Sequence, residues 1–397
     1  MRILVVSQYY YPEVFPSTLI AEELARRGHE VDVVTGKPNY GLNPIPKEYD
    51  HIKEEDIHGV HVHRLSLHKR GEGALSLVLN YLSFWRSVKR FFKKLDKDYD
   101  VVYGFNFSPI VSLDGAGEFA KRKKIPYVIN VYDLWPESVV ATGMAKKGSF
   151  LYRKLFNISK RIYSESDYLL LSSPGFEDYF KNVIGIDKPS KTVYQPLQEK
   201  EDVVYESPFK EGEKPLVYCG NLGRLQDLRP YIRAMANLSD RKDLRFYIIG
   251  EGNEKKTLEE LASSLKVEDR VFFLGHLAPE AALAYRRNAF LNVVSLKSEN
   301  SPVGNTIPTK LIAALGDARP ILATVFGDGG SLLKEAGGSF LSAMDDGSVS
   351  DNIEKALSLS KEKWQAMGER NSAFYESHFK ADKVVDKIES VLLSLMK

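Results

Sequence analysis

The sequence is almost without cysteine: Cys219 stands alone, so no disulfide can form within the chain. That excludes a disulfide-stapled scaffold and fits a reducing compartment. No unbroken apolar run approaches the ~20 residues that cross a bilayer. Met1 to Ser7 reads as the start of a strand, not as a leader peptide. A cytoplasmic protein is therefore expected. Charge of either sign is not in excess, with 55 Lys and Arg against 53 Asp and Glu. A net of +2 sets up no global field for nucleic acid, so no nucleic-acid partner is expected. Short-period repeats are missing. No Asp-x-Asp metal signature stands in a suitable loop, and Asp345-Asp346 reads as a turn.

What is present is ordinary globular composition, 43% hydrophobic and 27% charged, on a chain of 397 residues. That length calls for two domains. The apolar run Ile3–Val6 and the strand-like Val31-Asp32-Val33-Val34 flank a helical stretch that ends before Gly28. Such a βαβ opening predicts a parallel, doubly wound α/β sheet. Further strands are expected near 60–65, 100–103, 127–131, 168–171 and 192–194, with a helix over about 111–121. A polar, unpatterned linker follows from 198 to 215. The alternation then resumes, with strands at 216–219, 245–249, 271–274, 290–294 and 320–323. The expected domains are 1–197 and 198–377, with the closing helix, 378–397, returning to the first.

Three stretches carry candidate chemistry. Gly220-Asn221-Leu222-Gly223-Arg224 follows a buried strand, so backbone N–H groups and the Arg224 fork are available to an anion. Asn305-Thr306-Ile307-Pro308-Thr309-Lys310 opens a helix whose positive end suits the same anion. Both also fit ordinary surface turns. Tyr132-Asp133-Leu134-Trp135-Pro136-Glu137-Ser138 is delivered by a strand to the carboxyl edge, where doubly wound sheets bind ligands. Separately, residues 69–97 hold eight basic side chains against two acidic ones, a net of +6, among Phe84, Trp85, Phe91 and Phe92. Trp85, Lys89, Arg90, Lys93 and Lys94 are expected to face an anionic membrane surface. A core helix with a basic solvated face fits the same letters.

These motifs together resemble the retaining, nucleotide-sugar-dependent glycosyltransferases of family 4, which have the GT-B architecture. The opening Ser7-Gln8-Tyr9-Tyr10-Tyr11-Pro12-Glu13, the Asp133–Ser138 run, Gly220–Gln226 and Ile307–Lys310 carry the likeness. The Asp-Leu-Trp-Pro-Glu-Ser run is similar to the N-acetylfucosaminyl-transferase-like subgroup that builds O-antigen and capsule. The resemblance implies two Rossmann-like domains with parallel sheets facing across a cleft. It implies a nucleotide-sugar donor on the second domain, a UDP-sugar such as an N-acetylated hexosamine or deoxyhexosamine. It also implies a polyprenyl-diphosphate-linked saccharide acceptor on the first, at the inner face of the cell membrane. Donor contacts fall on Gly223, Arg224, Arg229, Gly250, Glu251, Glu299, Asn305, Thr306, Thr309 and Lys310. Acceptor contacts fall on Tyr11, Pro12, Glu13 and Trp135. Catalytic roles fall on Tyr132, Asp133 and Glu137. No cofactor or metal is expected, because side-chain cations take the place of Mg²⁺ on the diphosphate.

The chain departs from the family at three positions. Asn305 and Ala313 stand where many relatives carry two glutamates, so the ribose needs another acceptor such as Glu299. Tyr132 stands where relatives carry a histidine before the aspartate. These departures keep two alternatives open: a sugar-nucleotide 2-epimerase of the same architecture, and a non-catalytic sugar-nucleotide binder.

Overall fold

A computed structural model describes all residues except 41–45, 72, 142, 198–203, 298–305 and 397. Glu299, Asn305 and the first part of the expected linker lie outside the described residues. The chain forms two units, Met1–Glu199 with Phe379–Lys397, and Lys200–His378.

The first unit runs β1 (Arg2–Val6), α1 (Pro16–Arg26), β2 (Glu30–Gly36), β3 (Glu54–Ile57), β4 (Val60–Leu65), α2 (Ala74–Lys94), β5 (Val101–Asn106), α3 (Ala116–Lys123), β6 (Tyr127–Val131), α4 (Glu137–Ala141), α5 (Phe150–Ser164), β7 (Tyr168–Leu171), α6 (Phe176–Asp178) and β8 (Ser190–Thr192). Its sheet has the order β3-β4-β2-β1-β5-β6-β7-β8. Every pairing is parallel except β3 with β4. The central strands are apolar on both faces, as a sheet covered by helices on each side requires. The order reverses direction between β1 and β5, so their carboxyl-end loops diverge and leave room for a ligand.

The second unit runs β9 (Lys214–Cys219), α7 (Arg229–Asn237), β10 (Leu244–Ile249), α8 (Lys255–Ser264), β11 (Val271–Gly275), α9 (Pro279–Arg287), β12 (Leu291–Ser295), α10 (Thr309–Gly316), β13 (Ile321–Thr324), α11 (Gly327–Ala336), β14 (Ser339–Leu341), α12 (Asp346–Leu357) and α13 (Lys361–His378). Its sheet, β11-β10-β9-β12-β13-β14, is parallel throughout. Here the reversal falls between β9 and β12. The last helix, α14 (Ala381–Ser394), belongs to the first unit. Its Val384, Val385, Ile388 and Leu392 share a core with Ile3, Val5, Ile20 and Leu24. Glu389 ties it further, accepting from Arg27 at 2.8 Å and lying 2.6 Å from His29 Nε2.

Two elements differ from the sequence reading. β3 reads Glu-Glu-Asp-Ile, with no apolar alternation, and is a strand only because β4 pairs with it. The helix expected from 111 to 121 breaks at Gly115, which adopts φ +100°, into a short 3-10 turn and α3. Glycine reaches that left-handed conformation without the steric cost a side chain would bring.

The basic aromatic segment forms α2, and its aromatics turn inward. Phe84, Val88 and Phe92 are fully buried, and Trp85 and Phe91 pack against the same core. The Trp85 indole donates to Asp114 at 2.6 Å, where Lys89 also pairs at 3.3 Å and Arg161 donates at 2.9 Å. Burial opposes the Asp114 charge, but these donors outweigh it and hold the carboxyl below its usual range. Trp85 is thus corrected from membrane-facing to packed against the core, while Lys89, its side chain 38% exposed, also reaches the buried Asp114. Arg86, Arg90, Lys93 and Lys94 stay exposed, and Leu75, Val78 and Leu79 add exposed apolar surface on the first turns. Trp85→Phe is expected to destabilise the fold by about 1.5–3 kcal/mol, the worth of a hydrogen bond to a charge. Chemical denaturation reads this, and an unchanged midpoint would show that the indole bond contributes nothing.

Candidate functional site

In the second unit the loop after β9 meets the loop after β10 at backbone distance. Gly250 adopts φ +136°, and a Cβ there would sit 2.0 Å from the carbonyl oxygen of Gly220. Only glycine allows that approach. Leu222 N donates to Glu251 O at 2.9 Å, and Glu254 N donates to Leu222 O at 3.0 Å. The Gly220–Gly223 loop is therefore fastened from behind, with Arg224 at its tip. The Arg224 side chain is 85% exposed and touches only Glu254, at 3.4 Å, among the contacts described. Glu251 turns aside to Lys255 at 2.7 Å. A shallow recess is lined by Gly223, Arg224, Asp227, Arg229 and Glu254.

The two expected cations differ sharply in their surroundings. Arg229 is held by Asp227 through two bonds of 2.6 and 2.7 Å, so its charge is already answered. Lys310, in the first turn of α10, is largely buried, and no carboxylate pairs with it among the described residues. Its Nζ lies 3.2 Å from the Tyr218 hydroxyl and 5.1 Å from that ring's centroid. Tyr218 in turn donates to the Asn221 carbonyl at 2.7 Å, linking α10 to the β9 loop. Burial pushes the Lys310 amine down to about 8. Thr309 opens α10, and Thr306 precedes it; both make contacts of their own. A helix N-terminus beside a buried amine with no paired carboxylate among the described residues has the chemistry to attract an anion.

In the first unit the carboxyl edge gathers the other set. Asp133 follows β6, and burial pushes its carboxyl up to about 6, with the Ser138 hydroxyl working the other way. Tyr132 stacks on Phe107 at 4.9 Å, and its hydroxyl is buried without a partner. Trp135 donates its indole N–H to Ser108 at 2.8 Å, joining the loops after β5 and β6. Glu137 is buried and accepts from the Tyr152 hydroxyl at 2.7 Å, which makes it a structural partner of α5. Glu13 is also turned inward: its Oε1 accepts from the backbone N–H of Asn39 at 2.6 Å and of Tyr40. Burial pushes its carboxyl up to about 7. Tyr11 meets His58 edge-on, and Pro12 follows it. Glu13 thus holds the loop from inside, while Tyr11 is partly exposed.

Sequence reasoning missed several members of both sites. Tyr9, Phe15, Tyr40 and Phe107 form a continuous aromatic group with ring centroids 4.8–5.3 Å apart. Only the Tyr-Tyr-Tyr-Pro run hinted at it. Tyr218, Asp227 and Glu254 were missed because their roles depend on partners distant in sequence or on loop geometry.

Two family descriptions match this architecture: "Glycosyl transferase 4-like domain" over residues 17–196 and "Glycosyl transferases group 1" over 199–374. The chain thus carries a glycosyltransferase 4-like domain followed by a group 1 glycosyltransferase domain. It is 23% identical to the N-acetyl-alpha-D-glucosaminyl L-malate synthase of Bacillus anthracis, over 98% of this chain and 96% of that one. HepE of Anabaena, solved with UDP, has the same fold at a TM-score of 0.70 and 14% identity, covering 100% of both chains. WaaG, a glycosyltransferase involved in lipopolysaccharide biosynthesis, superposes with a TM-score of 0.60 at 17% identity over 98% of this chain and 99% of its own. These likenesses show the two-domain, parallel-sheet GT-B fold. Membership of the glycosyltransferases favours transfer over the epimerase and binder alternatives.

Proposed function

We propose that this glycosyltransferase moves a sugar, with retention, from a UDP-sugar to a lipid-linked saccharide in surface-polysaccharide synthesis. The observation that carries the donor half is Lys310, a buried amine without a described counter-charge at a helix start beside the β9 loop. A diphosphate would supply the missing charge, and exposed Arg224 is free to close on it with charge-assisted bonds. Together they would stabilise the leaving nucleoside diphosphate as negative charge develops. The N-acetylglucosaminyl product name of the Bacillus anthracis relative and the UDP bound by HepE support the donor class. Asp133, raised toward neutrality and beside the aromatic group, is assigned to orient the acceptor hydroxyl.

Side-chain cations serve the diphosphate in this reading, so transfer is expected to be unchanged by EDTA. Activity lost on chelation and restored by Mg²⁺ or Mn²⁺ would overturn it.

The acceptor half of the reading places the first unit on an anionic membrane. No described helix is long and apolar enough to cross one. Exposed Arg86, Arg90, Lys93 and Lys94 beside Leu75, Val78 and Leu79 support attachment to its surface. Each such charge near the leaflet adds about 1 kcal/mol at low salt. Arg90, Lys93 and Lys94 replaced together by Ser should lower co-sedimentation with anionic vesicles. Folding stability should stay within about 0.5 kcal/mol, as for other exposed sites. Equal vesicle binding by the triple variant would remove the membrane from this proposal.

A further inference from the structure

The edge hairpin of the first unit carries a second cluster, unconnected with sugar transfer. β4 sets His61 and His63 two residues apart, hence on one face of the strand. β3 places Glu54 opposite His63 and Asp56 opposite His61. The candidate ligand atoms of Glu54, His61 and His63 all lie within 4.8 Å of one another. His63 Nδ1 is 3.2 Å from Glu54 Oε1. Its Nε2 points the other way, 3.6 Å from Asp32 Oδ2, and is buried without a hydrogen-bond partner. His61 Nδ1 is 2.8 Å from Asp56 Oδ1.

We propose that Glu54, His61 and His63 bind a divalent transition ion of the zinc class. Two imidazoles, one carboxylate and a water make the four-coordinate donor set such an ion takes, whereas Mg²⁺ and Ca²⁺ prefer oxygen alone. Bonds of about 2.1 Å in a tetrahedron bring ligand atoms to about 3.4 Å apart, so the three need only a modest inward turn. Glu54 and His61 have that freedom, with side chains 64% and 37% exposed. His63 is preset instead. A metal on its Nδ1 fixes the proton on Nε2, aimed at the Asp32 carboxylate, which is the outer partner a ligating histidine takes. Asp32 is itself immobile, held by Lys97 at 2.9 Å and the Tyr99 hydroxyl at 2.6 Å. Ordinary cross-strand ion pairs would explain the contacts of Glu54 and Asp56. Beyond them, His63 Nε2 reaches Asp32 at 3.6 Å, the outer contact that a ligating histidine makes. The ion would pin β3, which has only one neighbouring strand, to the sheet.

The test uses the full chain, stripped with EDTA and desalted, then titrated with Zn²⁺ against a chromophoric chelator. One equivalent is expected to bind and to raise the melting temperature, since only the folded state assembles the site. Co²⁺ in its place should give the visible absorption of a four-coordinate ion. Glu54→Gln and His61→Ala, both near the surface and safe for folding, should each weaken Zn²⁺ by about tenfold or more. Exposed His58, outside the cluster, is the control, and His58→Ala should bind as wild type. Absence of a one-equivalent site, or equal affinity in Glu54→Gln and His61→Ala, would overturn the proposal. Transfer rate should be the same with and without Zn²⁺. A rate that requires the ion would place it in the reaction and refute its role as a hairpin pin.

Discussion

Lys310→Met is expected to cut transfer by about 10²–10³-fold and to weaken nucleoside diphosphate binding by about tenfold or more. The first figure is the usual effect of deleting one preorganised group that faces developing charge. The second follows from a charge-assisted bond worth about 1.5–3 kcal/mol. Without ligand the same variant should be at least as stable as wild type, because methionine fills the site without a buried charge. The pH dependence gives a sharper reading. The folded amine titrates near 8, below its ordinary value, so the folded state releases this proton first. Its destabilising effect is full below about pH 8 and fades as pH rises toward the unfolded value. The stability gap between variant and wild type should close over that window. A bound anion favours the charged amine, so diphosphate affinity should fall as pH climbs past 8. Calorimetry in buffers of different ionisation heat would detect the proton taken up. Wild-type affinity in Lys310→Met would sink the donor site.

Asp133→Asn is the second large effect expected, a fall in kcat of about 10²–10⁴-fold, the range for a positioned acid or base. Burial raises this carboxyl to about 6. If the carboxylate orients the acceptor, log kcat should climb with pH and level off above about 6. The Asn variant should lose that acid limb along with its rate. Stability moves oppositely: a raised carboxyl favours the fold below its unfolded value, and that contribution disappears as pH rises through about 6. A kcat within twofold of wild type, or an acid limb retained by the variant, would return Asp133 to a structural role.

The alternation of apolar runs and helical stretches made most of both sheets readable, because central parallel strands are apolar on both faces. The loops after those strands were readable as well, since Gly-Asn-Leu-Gly-Arg and Asp-Leu-Trp-Pro-Glu-Ser break the pattern at the carboxyl ends of β9 and β6. Charged β3 was hidden, because its strand character comes wholly from β4. The direction each side chain takes was hidden too. Trp85 and Lys89 read like their neighbours Arg90 and Lys93, yet a buried Asp114 further along the chain pairs with both. Glu13 and Glu137 read as free carboxylates, and Asn39, Tyr40 and Tyr152 occupy them.

By itself the sequence determined two units of parallel α/β architecture and the residue types offered at the carboxyl edge of each sheet. Those follow from periodicity and from glycine and proline, which act locally. Tertiary structure alone decided which charge is paired. Arg229 and Lys310 are equally cationic as letters, but Asp227 pairs with the first, while burial lowers the second to about 8 with no carboxylate beside it among the described residues. Desolvation and pairing depend on what packs against a side chain, and the chain brings those partners from far away.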